Sequence, residues 1–239
     1  MNPINPTEAA RLVAALIDEV GKAIVGKRPV LALIVSGMLA DGHVLLDDVP
    51  GVAKTLTARS IATAAGLSYS RVQFTPDVLP ADITGSAVLD LATREATFRP
   101  GPIFASLVLA DEINRAPAKT QAALLEAMQE RQTTADGVTH LLPRPFLVIA
   151  TQNPIESEGT YPLPEAQLDR FILRTSIGLP ERVDELEILR RRLERQADDV
   201  PLTPVMDGET FLAVQRSLEL VQVTAVMGAY VVDLVRATR

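Results

Sequence analysis

The strongest constraint in this chain is a repeated change of rhythm, in which apolar runs of strand length alternate with stretches of helical period. His43–Asp47 (HVLLD), Ser70–Phe74, Ser106–Ala110 (SLVLA), Phe146–Ala150 (FLVIA) and Phe171–Thr175 predict five strands, and Lys54–Ala65 and Lys119–Arg131 predict helices between them. Strands separated by helices need crossover connections, so the expected fold is α/β, a five-stranded parallel sheet flanked by helices on both faces. Strands covered on both faces carry few polar residues, as SLVLA and FLVIA do.

Two insertions break the rhythm, at residues 76–100 and 132–144. The first holds Pro76, Pro80, Gly85 and Pro100, with short pieces at Ala87–Leu91 and Ala96–Phe98 that can pair as a hairpin. The second places Asp136-Gly137 between two extended pieces, a strong hairpin signal. After Pro180 the pattern becomes helical through Arg239, which predicts a core over residues 1–180 and a partial helical lid over 181–239. The last helix, Thr224–Ala237, has no glycine stop, so the lid is expected to be truncated.

Composition narrows the function mainly by exclusion. With 239 residues and 47% hydrophobic content the chain can bury a large core. The lack of cysteine removes disulfides, thiolate metal sites and cysteine nucleophiles, and His43 and His140 are too few and too far apart for a structural zinc site. A net charge of −7 argues against nucleic acid as a partner. The apolar stretch Val30–Leu39, broken by Ser36 and Gly37, falls short of the roughly 20 residues of a membrane span. The N-terminus MNPINPTEAARL has neither a basic leader nor an apolar signal core, which makes a cytoplasmic location the expectation.

The chemistry begins with DDVPGVAKT at residues 47–55, between a predicted strand and a predicted helix. That is the position of a phosphate-binding loop, whose pattern is Gly, four residues, Gly, Lys and Ser or Thr. Lys54 and Thr55 are present, while Asp48 and Ala53 replace the two outer glycines. The loop residues Pro50, Gly51, Val52 and Ala53 and the helix start at Lys54, Thr55 and Leu56 form the expected anion cradle. In it Lys54 reaches the β- and γ-phosphates and the Thr55 hydroxyl ligates Mg²⁺. Ala53 is expected to adopt ordinary helical dihedrals, and Asp48 to turn its carboxylate away from the phosphates. The strand SLVLA ends in Asp111-Glu112, one carboxylate to hold Mg²⁺ and one to polarise an attacking water. FLVIA runs into Thr151-Gln152-Asn153-Pro154, whose amides can hold that water or the γ-phosphate.

Long stretches of the chain, PGPIFASLVLADEINRAPAKTQAALLEAMQER, ATQNPIESEGTYPLPEAQLDRF and QFTPDVLPADITG, resemble the MoxR family of AAA+ ATPases. The resemblance runs from about Ile24 to Pro180, and MoxR-type loops are similar to GVAKT as well as GVGKT. It implies an AAA+ P-loop fold and binding and hydrolysis of Mg²⁺-ATP to ADP and phosphate. Lys54 and Thr55 then resemble the Walker A pair, Asp111 and Glu112 the Walker B pair, and Asn153 sensor 1. Arg170, in LDRF, resembles the arginine finger that serves a neighbouring subunit, against a local ion pair with Asp169 or Glu165. Ile24, Val25 and Gly26 are similar to the segment framing the adenine, and Arg115 is left between a neighbour's nucleotide and a helix cap. The two insertions resemble the helix 2 insert and the hairpin before sensor 1. A sensor 2 arginine is expected beyond Arg239.

The resemblance further implies a ring, commonly a hexamer, and chaperone-like remodelling of a partner protein, with von Willebrand factor A domains among the candidate partners. Two alternatives stand beside it. One is a nucleotide-gated scaffold with little hydrolysis; the other is an ATPase subunit of magnesium-chelatase type.

Overall fold

The computed structural model describes residues 3–89, 96–135, 137–154 and 159–238. Helices α1 (Pro6–Val20) and α2 (Arg28–Leu39) precede strand β1 (His43–Asp47) and helix α3 (Lys54–Ala64). Strand β2 (Tyr69–Gln73), helix α4 (Pro80–Thr84) and the antiparallel hairpin β3 (Gly85–Leu89) and β4 (Ala96–Pro100) follow. Next come β5 (Leu107–Asp111), helix α5 (Ala118–Glu130), the hairpin β6 (Gln132–Ala135) and β7 (Val138–Leu141), and β8 (Leu147–Gln152). The chain continues through α6 (Glu165–Leu168), β9 (Phe171–Thr175), α7 (Arg182–Arg195), α8 (Gly208–Ser217) and α9 (Ala225–Ala237).

Five strands form one parallel sheet in the order β2-β5-β8-β1-β9. The two-residue period of a strand divides its side chains between two cores. Val44, Leu46, Leu107, Leu109, Leu147 and Ile149 pack towards α1, α2 and α3, while Leu45, Val108, Ala110, Val148 and Ala150 pack towards α5. From β1 the chain crosses through α3 to edge strand β2 and returns through β5 and β8, which leaves the ends of β1, β5 and β8 adjacent on one edge of the sheet. The expected strands are all present, two with the expected bounds and three with ends displaced by one or two residues.

The hairpin expected from Ala87–Leu91 pairs as Gly85–Leu89, and residues 90 and 91 lie outside the described ones. Gly85 sits at φ +91°, where an added Cβ would meet the Arg99 carbonyl oxygen at 2.4 Å, so the strand entry needs glycine. Phe98 of β4 and His140 of β7 stack at 3.7 Å, which ties the two hairpins together.

The helical stretch after Pro180 does not all stand apart from the core. Neither α7 nor α9 buries a residue, but Met206, Phe211 and Val214 join the core cluster of α1 to α3. Asp207 caps α8 by accepting from Thr210 N at 2.8 Å, and Phe211 and Val214, three residues apart, share the buried face. Among the described residues no single helix is long and apolar enough to cross a membrane.

Candidate active site

The functional side chains gather where β1, β5 and β8 end, the edge at which ligands bind in open α/β sheets. The loop between β1 and α3 is anchored by Asp48. Its buried carboxylate accepts from Ile177 N at 2.5 Å and Gly178 N at 2.9 Å, beyond the end of β9. One residue that breaks the glycine pattern therefore faces away from the cradle and fastens the loop to the neighbouring segment. Gly51 has φ +87° with open space around it, so glycine serves backbone conformation there.

Ala53 departs from expectation. It lies at φ +60° and ψ +27°, in the left-handed region, immediately before the first turn of α3. An L-residue with a Cβ pays about 1–2 kcal/mol there, so the strain comes from the dihedral and not from the reach of the methyl. The residue directly before Lys54 is thus an alanine forced into a glycine conformation.

Lys54 donates to Asp48 O at 2.5 Å and to Gln152 O at 3.4 Å, so its ammonium spans the loop and the end of β8. Burial pushes its pKa below the usual lysine value, opposed by Asp48, Asp111, Glu112 and Asp47. The Thr55 hydroxyl donates to Asp111 Oδ2 at 3.4 Å. Adjacent oxygens on an octahedral magnesium at 2.0–2.1 Å lie about 3 Å apart, so this pair fits a shared ion. Among the described residues no group of three or more His, Asp or Glu could hold a metal alone. That fits a site in which Thr55 and Asp111 contribute and phosphate oxygens and water complete the shell.

The carboxylates are held by residues to which no such role was assigned from the sequence. Thr151, fully buried in β8, donates to Asp111 Oδ1 at 2.7 Å and accepts from Glu112 N at 2.8 Å, so one hydroxyl fixes both. From edge strand β2, Arg71 donates to Asp111 Oδ2 through Nε at 3.0 Å and Nη2 at 2.7 Å. Gln73 donates to Glu112 Oε2 at 2.8 Å and accepts from Arg71 Nη2 at 2.6 Å. Arg115 also donates to Glu112 Oε2, at 3.0 Å, so it binds a carboxylate of its own chain. Glu112 itself is in the left-handed region at φ +57°, a strained conformation that concentrates at functional sites. The signal for Arg71 and Gln73 was present: two polar residues two apart lie on one face of a strand, and Gln73 pairs in register with Asp111.

Asn153 is buried directly after β8, with its carbonyl within 3.4 Å of the Asn114 amide. Val25 and Gly26 line a cavity of about 330 Å³ between α1 and α2, closed on one side by Arg191 of α7. Arg191 donates to the carbonyls of Gly21 and Lys22 at 3.1 and 3.2 Å, joining α7 to the end of α1. An added Cβ on Gly26 would meet the Asp184 carboxylate at 2.0 Å. Pro50, Val52 and Leu56 take their places in the loop and first turn of α3, with Val52 buried. Arg170 is not brought together with these groups. It precedes β9, whose first residue pairs with His43 at the start of β1, and so lies at the opposite end of the sheet from the loop. Among the described residues it makes no ion pair with Asp169 or Glu165.

Strand order, loop and paired carboxylates define an AAA+ type of P-loop fold. Residues 43–173 match the model of the ATPase family associated with various cellular activities. Chaperone MoxR1 of Mycobacterium tuberculosis is 51% identical over 175 residues, covering 73% of this chain and 46% of that protein. The uncharacterized protein YeaC of Bacillus subtilis is 46% identical over 228 residues, covering 95% of this chain and 71% of that protein. A crystal structure of a candidate ATPase from Cytophaga hutchinsonii superimposes with a TM-score of 0.88 at 39% identity, over 98% of this chain and 71% of that one. The chain belongs to the MoxR family of AAA+ ATPases.

Proposed function

We propose that the chain binds Mg²⁺-ATP and hydrolyses it to ADP and phosphate, as the motor of a chaperone-like machine that remodels a partner protein. The observation that carries this reading is the convergence of Lys54, Thr55, Asp111 and Glu112 on one edge of the sheet. The cradle from Pro50 to Leu56 takes the phosphates, and Lys54 turns from its carbonyl partners to the β- and γ-oxygens. Thr55 and Asp111 hold magnesium, which when bound would neutralise charge on the phosphate oxygens. Glu112 orients the water and accepts its proton, and Asn153 positions the γ-phosphate or the water. Val25 and Gly26 frame the base.

The place of Arg170 supports a role in trans. A residue at the far end of the sheet from its own loop can offset transition-state charge only at a neighbour's site, which requires a ring, here a hexamer by family analogy. The partner is a protein, with von Willebrand factor A domains among the candidates, and the location is cytoplasmic.

A second reading is favoured by one feature, the engagement of Asp111 and Glu112 by Arg71, Gln73 and Arg115. A chain locked in that arrangement would bind nucleotide and switch shape while hydrolysing little. Phosphate release by wild type and by Glu112→Gln at several protein concentrations separates the readings. Turnover in the wild type that rises with assembly and is absent from the variant supports the ATPase; equal release from both at every concentration leaves the scaffold.

A further inference from the structure

Arg71 has no place in the loop, the Walker B pair or the sensor, yet it forms an ion pair with Asp111 at 2.7 Å. Two of its nitrogens converge on a single oxygen, Oδ2. That is also the oxygen turned towards the Thr55 hydroxyl. The other oxygen, Oδ1, is committed to the buried Thr151 hydroxyl. Asp111 therefore has one oxygen to offer a cation, and a guanidinium holds it.

We infer that Arg71 is an internal counter-ion that competes with magnesium for the Thr55-facing oxygen of Asp111 and must withdraw before magnesium is held there. The inference rests on the nucleotide reading given above. A buried carboxylate without a counter-charge is costly, so a resident cation stabilises Asp111 where it lies. A guanidinium and a divalent ion cannot share one carboxylate oxygen without like-charge repulsion in a partly desolvated cleft. Arg71 can leave because it lies on an edge strand with its side chain half exposed, whereas Asp111 cannot follow it. Its departure also breaks its bond to Gln73 Oε1, the contact that sets which end of that amide faces Glu112. Arg71 thus acts as a positioning residue that sets the magnesium concentration at which the site fills.

The test titrates Mg²⁺ into the full chain with a fluorescent ADP analogue and reads the free Mg²⁺ that gives half of the metal-dependent gain in nucleotide binding. The proteins are wild type, Arg71→Lys and Arg71→Gln. Removing a half-exposed competing ion pair is expected to lower the half-saturating Mg²⁺ of Arg71→Gln about five-fold. Arg71→Lys keeps the charge but cannot place two donors on one oxygen, so it should fall between the two. Melting without metal or nucleotide should follow the opposite order, with wild type the most stable. A requirement in Arg71→Gln that is unchanged or higher overturns the inference. If Arg71→Gln does not fold, the lysine variant decides alone: a requirement below wild type supports the role, and one equal to or above it refutes the role. A wild type that gains no nucleotide affinity from Mg²⁺ removes the nucleotide reading and this inference together, whereas a metal-dependent wild type matched by its variants removes only the role of Arg71.

Discussion

Asp48 stands where a phosphate loop ordinarily has glycine, and its replacement tests whether that carboxylate is an anchor or a defect. In Asp48→Ala the amides of Ile177 and Gly178 lose their acceptor, and the first of these is buried. Leaving a buried donor unpaired costs about 1–3 kcal/mol, and bonds to a charged acceptor sit at the upper end. With one amide buried and one half-buried, the variant should lose about 3 kcal/mol. For a chain of this length that corresponds to a melting temperature lower by roughly 6–12 °C. Asp48→Asn keeps an acceptor of nearly the same shape and should lose only about 1 kcal/mol. Thermal melting of the three proteins, with nucleotide binding measured well below the transitions, checks both figures. Affinity should fall in Asp48→Ala because the loop is less firmly held. An alanine variant as stable as wild type that binds nucleotide more tightly would show that the carboxylate repels the phosphates and is no anchor.

Three further outcomes follow from particular residues. Ala53→Gly relieves a left-handed alanine worth about 1–2 kcal/mol, less about 0.4–1 kcal/mol of added freedom in the unfolded chain; calorimetry should show a melting temperature higher by a few degrees, and a less stable variant would contradict the assigned dihedral. His43 is buried, accepting from Val148 N at 3.0 Å and facing Met128 O at 3.2 Å, and burial brings its pKa from 6.5 down to about 4. Because the folded value is the lower one, its contribution is fully present above pH 6.5 and is lost as pH falls towards 4, by up to about 3 kcal/mol; denaturant melts of wild type and His43→Phe should differ in pH dependence across that window. Arg170→Ala should keep nucleotide affinity and lose turnover, and mixing it with Glu112→Gln should restore part of that turnover through shared interfaces, whereas a mixture as inactive as its parts would argue against action in trans.

The sheet was legible because strands buried on both faces need uninterrupted apolar runs, and HVLLD, SLVLA and FLVIA have them. The loop was legible because its chemistry depends on place, after β1 and at the start of α3. What sequence did not reveal concerns partners distant along the chain. Asp48 reaches Ile177, Arg71 reaches Asp111 and Arg191 reaches Gly21, and a polar residue in a loop, on an edge strand or on an outer helix reads from sequence as a solvated one. Ala53 misled because alanine is a good helix former, while its conformation is imposed by the loop on one side and α3 on the other. For α8 a helical pattern was visible, but a pattern does not say which surface covers it, and the surface is the core.

Hydrolysis by Glu112 in a cradle built by Lys54 and Thr55 has a direct readout in the nucleotide that stays bound. The most direct measurement identifies, by chromatography, the nucleotide retained after incubation with Mg²⁺-ATP and removal of the excess. Wild type should retain ADP, Glu112→Gln should retain unhydrolysed ATP, and Lys54→Ala should retain little of either. Wild type that still holds ATP in the same proportion as Glu112→Gln would contradict the account.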